Sequence, residues 1–435
     1  MSDSSSIVKR MKRQVLGHLH LAVLRFPHGL GKVCFEEAQA CLSSPIFPAK
    51  ERPTLSLKDN CVEIANINYR ELLALTMRMT TARDILWIIA EGRADSLQKL
   101  KKKLAQVPWD FYVSRGERWS VRANSRASRV FHEGIIKQLA QIELETRGCT
   151  LVPAKDADQR LDIRIDSDRI QIAVSVSGRF LFRRRYKSSF QSIAPLKEDL
   201  AAGLVRVGWG EKDFVPSSGR TVHIWIPFAG SGTLAFESIL FIGQIAPEVF
   251  FGELGAESFP CTPKASTQFA RKILRSKWSL NDDSSPCWHL VEMDGLQFEA
   301  LQENVDFFSK RLSDFDYKKL NINLAQSDVF SIPPPTTKTG DLLFVLLNPP
   351  YGERLSTKKA ALKIYAKIGL LLSDLPKNIE VRGGILVPEE SSLQVLTNNL
   401  QLFQTSSYAV RQGGKKISIV AFSRQFHGLA TPGIL

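Results

Sequence analysis

Asn348-Pro349-Pro350-Tyr351 follows directly on the apolar run Leu342-Leu343-Phe344-Val345-Leu346-Leu347. Six consecutive apolar residues read as a central strand, and two prolines forbid its continuation, so the strand stops abruptly at one edge of a sheet. That edge is where open α/β sheets bind ligands. Asn348 offers a side-chain carbonyl as acceptor, the main-chain carbonyl of Pro349 is a second acceptor, and Tyr351 supplies a flat face. Two acceptors beside a flat face suit an exocyclic amine on a planar base. Read without its neighbours, the same tetrapeptide is an ordinary turn, because Asn and Pro are common turn residues.

The tetrapeptide resembles the catalytic signature of amino-methyltransferases, which move a methyl group from S-adenosylmethionine to a nucleobase or glutamine nitrogen. Such chemistry needs a cofactor turn, and one stands upstream. Val222 to Phe228 reads as a strand, followed by Ala229-Gly230-Ser231-Gly232-Thr233 and then a helical pattern through Leu240. Glycines at a strand-to-helix turn let the backbone approach a ligand, and the helix N-terminus favours a carboxylate. The cofactor-binding set expected here is Pro227, Gly230, Ser231, Gly232, Thr233 and Asn348. On the same reading Glu292, ending the strand Trp288 to Val291, is the ribose ligand, and Asp328, after Asn321 to Gln326, takes the adenine amine. Gly230-x-Gly232-x-x-Ala235 also satisfies a dinucleotide fingerprint, with Glu253 as its acid, but that reading leaves Asn-Pro-Pro-Tyr without a role. No Gly-Lys-Ser/Thr follows the glycines, which excludes a P-loop.

Five apolar segments must position these residues: Val222 to Phe228, Trp288 to Met293, Ile322 to Ala325, Leu342 to Leu347 and Gly384 to Val387. They alternate with helical patterns, which argues a doubly wound parallel sheet, and Tyr408 to Val410 with Lys416 to Phe422 suggests a closing antiparallel hairpin. The first 180 residues read as smaller mixed α/β modules. Leu19 to Phe26 is a strand, Glu36 onward a helix, and Asn68 to Ala90 a helix then a strand. Leu161, Ile163 and Ile165, then Ile170, Ile172 and Val174, alternate like half-exposed strands. The composition turns polar and Ser-rich from Ser188 to Pro195, which places a domain boundary near residues 180–195.

The formal net charge is +14, and residues 1–200 hold 34 Lys and Arg against 22 Asp and Glu, so +12 of the excess lies there. Clusters such as Lys101-Lys102-Lys103 and Arg183-Arg184-Arg185-Tyr186-Lys187 favour a polyanion partner; each alone is also what a solvated basic face looks like. Arg183, Arg184, Arg185 and Lys187 are the expected RNA contacts. The six cysteines are scattered with no Cys-x-x-Cys pair and no His at ligand spacing, so no metal and no disulfide framework is expected. The first 14 residues are polar then basic, and no 18-residue apolar run occurs, which points to a cytoplasmic protein with no membrane partner.

With these residues assembled, the chain resembles the bacterial THUMP-domain RNA guanine-N2 methyltransferases acting on 23S rRNA, with relatives acting on tRNA. Leu181-Phe182-Arg183-Arg184-Arg185-Tyr186-Lys187 and Ala194-Pro195-Leu196-Lys197-Glu198 are similar to that family's Leu-His-Arg-Arg-Gly-Tyr-Arg and Ala-Pro-Leu-Lys-Glu. Ile226-Pro227-Phe228-Ala229-Gly230-Ser231-Gly232-Thr233 is similar to its Asp-Pro-Phe-Cys-Gly-Ser-Gly-Thr, and Asn348 to Leu355 matches its form throughout. The resemblance implies an α/β chain: a Rossmann-like class I S-adenosylmethionine-dependent methyltransferase domain at residues 220–435, after a ferredoxin-like segment at 15–60, a THUMP RNA-binding domain at 61–178 and a linker with a leading helix at 179–219. It implies methyl transfer to the exocyclic N2 of guanine, with Asn348, Pro349, Pro350 and Tyr351 as catalytic residues. The partner is then RNA, either 23S rRNA or a pre-ribosomal particle, or tRNA. Adenine-N6 methylation makes the same demands of the tetrapeptide. Two departures stand out, since Ile226 replaces an acid and Arg185 replaces a glycine. The first raises the alternative of an RNA-binding or ribosome-assembly factor that has lost catalysis.

Overall fold

The computed structural model describes residues 13–47, 51–188, 196–210, 220–276, 286–315, 317, 320–350, 358–388, 390–412 and 414–425. It divides into two compact units. The first comprises the described residues of Met1–Phe26, Cys34–Arg183 and Ala246–Ser276, and the second those of Pro27–Val33, Arg184–Ile245 and Lys277–Leu435. The break between Arg183 and Arg184 lies inside the stretch 180–195. Ala246–Ser276, expected inside the methyltransferase domain, instead belongs to the first unit.

The first unit is built on an eight-stranded sheet. Its strands are β1 (Leu19–Arg25), β2 (Thr54–Leu57), β3 (Cys61–Asn68), β4 (Asp84–Arg93), β5 (Arg118–Arg126), β6 (Thr150–Leu151), β7 (Gln159–Asp166) and β8 (Arg169–Ser175), in the order β2-β3-β1-β4-β8-β7-β5-β6. Helices α1 (Gly31–Ser43), α2 (Tyr69–Arg78), α3 (Leu97–Ala105) and α4 (Glu133–Glu145) accompany them. β1 to β4, with α1 and α2, follow one another in βαββαβ order with the strand order β2-β3-β1-β4, a ferredoxin-like arrangement that runs across residue 60. The expected boundary cuts the β2–β3 hairpin, which the Lys58 N–H closes on the Cys61 carbonyl at 2.9 Å.

Periodicity read β7 as half-exposed, but Gln159, Arg160 and Asp162 are buried as well as the apolar positions between them. Burial is tolerated because the polar side chains are paired: Arg160 with Asp84 at 2.7 Å and Asp162 with Arg25 at 2.6 Å. The insert carries α7 (Glu248–Phe251) and α8 (Lys264–Ser276). Leu254, Phe259, Cys261, Ala270 and Leu274 from it join the first unit's core. Tyr69 Oη and Thr262 Oγ1 are hydrogen-bonded at 2.6 Å, and Phe259 stacks on Trp119 at 6.5 Å between ring centroids.

The second unit holds β9 (Val222–Ile226), β10 (Cys287–Glu292), β11 (Asn321–Gln326), β12 (Leu342–Leu347), β13 (Glu380–Val387), β14 (Gln404–Gln412) and β15 (Lys415–Arg424). Their order is β11-β10-β9-β12-β13-β15-β14, parallel except for β15, which runs antiparallel to both its neighbours. All five expected parallel strands are present. Each residue of β12 is buried, the condition under which a strand is apolar without alternation. Helices α5 (Glu198–Trp209), α6 (Thr233–Ile242), α9 (Gly295–Ser313), α10 (Lys358–Ser373) and α11 (Glu390–Asn399) complete the unit. α5 sits unusually close to β13 because Gly208 meets Gly383 and Gly384: a Cβ on Gly208 would lie 2.9 Å from the backbone of that pair. No described helix is long and apolar enough to cross a membrane.

Candidate active site at the C-terminal strand ends

β9, β10, β11 and β12 all end at the carboxyl edge of the second sheet, and the sequence-predicted residues fall on those four ends. β9 passes through the buried Pro227 into a turn where Gly230 has φ +53° and Gly232 φ +94°. A side chain at either position would be strained. A Cβ on Gly230 would meet nothing within 4 Å, so this backbone borders open space, whereas one on Gly232 would strike Phe236 at 2.8 Å. The turn leaves its backbone exposed on the ligand side and locked against α6 on the other.

Glu292, ending β10, is held by three backbone donors. Oε2 accepts from Gly230 N at 2.7 Å, and Oε1 accepts from Met293 N and Asp294 N at 3.0 Å each. A carboxylate presents about four lone-pair directions, so roughly one remains for a further donor such as a ribose hydroxyl. Glu292 thus ties the glycine turn to the next strand end. Asp328 caps the short 3-10 turn Val329–Ser331, its Oδ1 accepting from Phe330 N at 3.1 Å.

At the end of β12, Asn348 is half-buried, and its Oδ1 is shielded from solvent with no hydrogen-bond partner. A shielded acceptor left unpaired is unfavourable by about 1–3 kcal/mol, so its place in the fold implies a donor that arrives with a ligand. Pro349 is buried and Pro350 half-buried. Tyr351 lies outside the described residues.

The basic run before the second unit is divided by burial. Arg183 and Arg185 are exposed, whereas Arg184 and Lys187 are not, which removes those two from the expected RNA contacts. Arg184 is wholly buried against Glu237 of α6, Nε to Oε1 at 2.6 Å and Nη2 to Oε2 at 3.2 Å, and Tyr186 Oη donates to the same Oε1 at 2.9 Å. Lys187 Nζ donates to Ser231 Oγ at 3.1 Å and to Thr233 Oγ1. Its neutral form is favoured by burial, offset in part by Glu198 and Glu237, and its pKa falls to about 8. Burial likewise raises Glu198 to about 7.

Sequence reasoning missed three participants. Lys187 braces the cofactor turn from beneath. Asn304 on α9 donates Nδ2 to the Ser231 carbonyl at 3.1 Å and accepts from Ser188 N at 2.9 Å. Met293, beside Glu292, is 66% exposed although apolar, which suits it to cover a planar ring. Its signal was available: an apolar residue directly after the strand-end acid. The dinucleotide alternative loses its acid, because Val249 to Phe251 lie in a helix of the first unit and Glu253 follows there, away from any strand end.

Ile226 is fully buried at the end of β9. An apolar side chain is at home there; an acid would need a buried partner. Arg185 has φ +60°, which explains why the related motif carries glycine at this place.

A parallel sheet in this order, with a reversed strand next to the last and a glycine turn after its central β9, defines a Rossmann-like class I methyltransferase domain, the class that uses S-adenosylmethionine. Residues 184–417 match the family UPF0020, described as RMKL-like, methyltransferase domain, and the chain belongs to that family. Among curated proteins it is similar to the ribosomal RNA large subunit methyltransferase K/L of Syntrophotalea carbinolica, 28% identical over 66% of this chain and 39% of that protein. The chain thus spans about two-fifths of that relative's length. Among solved structures it is similar to SMU.472 in complex with SAH (TM-score 0.71, 20% identity, covering 94% of this chain and 98% of that one). TrmN from Thermus thermophilus is also similar, with a TM-score of 0.62, 17% identity, and coverage of 94% and 100%.

Proposed function

We propose that this chain transfers a methyl group from S-adenosylmethionine to the exocyclic N2 of a guanine in RNA, with large-subunit ribosomal RNA as the substrate. The unpaired, shielded Oδ1 of Asn348 carries the reading, since an incoming amine N–H is the donor it lacks. The names of the curated relatives favour ribosomal RNA, and the charge excess before residue 200 favours a polyanion.

In this reading the cofactor contributes an electrophilic methyl group. The Gly230 and Gly232 backbone and Glu292 hold it, with Met293 against its adenine and Asp328 taking the adenine amine. An exocyclic guanine nitrogen is a poor nucleophile because its lone pair is delocalised into the ring. Acceptance of its hydrogens by Asn348 Oδ1 and the Pro349 carbonyl favours localising that pair, and Tyr351 offers the face on which the base stacks. When bound, the cofactor would supply a sulfonium methyl and leave as a neutral thioether, and the proton shed by the methylated nitrogen would pass to solvent. The base must be unpaired or flipped to reach the strand ends, which gives the first unit, read as ferredoxin-like and THUMP modules, the task of holding RNA.

That unit contains a cavity of about 460 Å³ lined by Arg25, Arg122, Lys137 and Arg160 and also by Asp84 and Asp162, an excess of two positive charges. Arg160 Nε and Nη1 have no partner, and its guanidinium lies 3.8 Å from the centre of the Phe180 ring. Unpaired donors beside an aromatic face suit phosphate and base. The test is methyl transfer from labelled S-adenosylmethionine to total RNA from cells lacking the protein, followed by nucleoside analysis. Labelled N2-methylguanosine in large ribosomal RNA supports the proposal. Label in tRNA changes the substrate, label on adenine changes the base, and RNA binding without label supports a lapsed enzyme.

A further inference from the structure

At the opposite, N-terminal edge of the same sheet, three side chains converge that the proposed reaction does not use. Parallel register pairs Cys287 on β10 with His223 on β9, which sets both on one face, and His289, two residues along β10, returns to it. This is why scanning for Cys-x-x-Cys missed them: on a strand, ligands come together at a spacing of two and across strands. We propose that His223, Cys287 and His289 form a binding site for a zinc-class divalent metal ion.

The ligand atoms lie within 4.8 Å of one another. His223 Nδ1 and His289 Nε2 face each other at 3.2 Å, close to the ~3.3 Å separating two nitrogens on a tetrahedral zinc with bonds of about 2.05 Å. Sulfur and nitrogen on one tetrahedral zinc are about 3.6 Å apart, so from a separation of no more than 4.8 Å the sulfur must close a gap of up to about 1.2 Å. One thiolate with two imidazoles is a borderline-soft set that suits zinc over calcium or magnesium.

The surroundings orient each ligand. His223 Nε2 lies 3.4 Å from Asp341 Oδ2, which leaves Nδ1 as the ligating nitrogen, the arrangement seen when a carboxylate fixes a metal-bound imidazole. Asp341 is itself fixed by Lys338 N at 2.7 Å and Thr221 N at 3.2 Å. Asn323 Nδ2 donates to Cys287 Sγ at 3.2 Å, which fixes the direction of the sulfur. On binding, the Cys287 thiol proton passes to solvent, and water takes the fourth position beside the half-buried histidines. Such an ion would join β9 and β10, and through Asp341 the start of β12. His223 sits three residues before the end of β9, about 10 Å along the strand, and the glycine turn lies beyond that end, so the role is structural.

The test uses the full chain purified without chelators, with metal content by mass spectrometry, cobalt(II) substitution and thermal melting. Retention of about one zinc per chain is expected, with a thiolate-to-cobalt charge-transfer band absent in Cys287→Ser, and a rise in Tm of at least ~3 °C on zinc addition that a chelator reverses. Less than ~0.1 zinc per chain after equimolar addition overturns the proposal. Undiminished zinc in Cys287→Ser and His289→Gln overturns it equally.

Discussion

Two polar groups near the carboxyl edge of the second sheet differ in one respect. Under the glycine turn, Arg184, Glu237 and Tyr186 are wholly buried and bonded to one another. At the end of β12, Asn348 carries a shielded acceptor bonded to nothing. The difference separates scaffold from site: a buried charge is tolerated when each polar atom is matched within the fold, and an unmatched atom waits for a partner from outside.

The largest expected effect comes from breaking the matched set. Glu237→Ala leaves the Arg184 guanidinium buried without its counter-ion, which should destabilise the unit by about 3–5 kcal/mol in denaturant unfolding. Replacing both partners, Arg184→Met with Glu237→Leu, should recover most of that loss. If Glu237→Ala instead unfolds at the wild-type midpoint, the pair is not the scaffold it is described as.

Asn348→Ala should act in the opposite sense. Methyl transfer to RNA should fall by about 10²–10³ in kcat, the scale for removing one hydrogen-bonding group aimed at a reacting centre. Calorimetric binding of S-adenosylmethionine should stay intact. Stability in the absence of RNA should rise by about 1 kcal/mol, because an unpaired buried acceptor has been removed. A variant that loses activity and stability together would make Asn348 part of the scaffold too.

The same contrast explains what the sequence could and could not disclose. β12 was legible because a strand buried on both faces is apolar throughout, the other parallel strands because short apolar runs alternate with helical patterns, and the glycine turn because only certain residues fit φ +53° and +94°. Arg184 and Lys187 were misread, because a string of basic residues carries no information about which of them faces inward. Glu237, the residue that draws Arg184 in, is 53 positions away in the chain. The cluster of His223, Cys287 and His289 was hidden for the same reason, since strand register and not sequence spacing assembles it. Ala246–Ser276 packs with the first unit although the family match at 184–417 runs through it, a placement the sequence does not disclose because a helix's amphipathic face does not name the core it will join.

Glu198 tests the matched set by pH. Burial raises it to about 7 against an ordinary value of 4.5. Between pH 4.5 and 7 the folded state therefore binds more protons than the unfolded state, and stability falls as pH rises through that window, by at most about 3 kcal/mol. Glu198→Gln should lift the Tm at pH 8 and make no difference near pH 4.5. An equal shift at both values would assign its effect to packing and not to charge.

The smallest effect sharpens the division inside the basic run itself. Arg185 is exposed and held at φ +60°, a conformation unfavourable by about 1–2 kcal/mol for a residue with a Cβ. Arg185→Gly should therefore raise stability by about 0.5 kcal/mol, after the added freedom of the unfolded chain is set against the relieved strain, where glycine at an ordinary position lowers it. If the exposed half of the run meets RNA, the same change should weaken binding and reduce the salt dependence by about one phosphate contact. Arg183→Gln should reduce it similarly without the gain in Tm. A rise in Tm with unchanged salt dependence would leave Arg185 a strained surface residue, and RNA recognition would then rest on the first unit, where Arg160 keeps two donors unpaired.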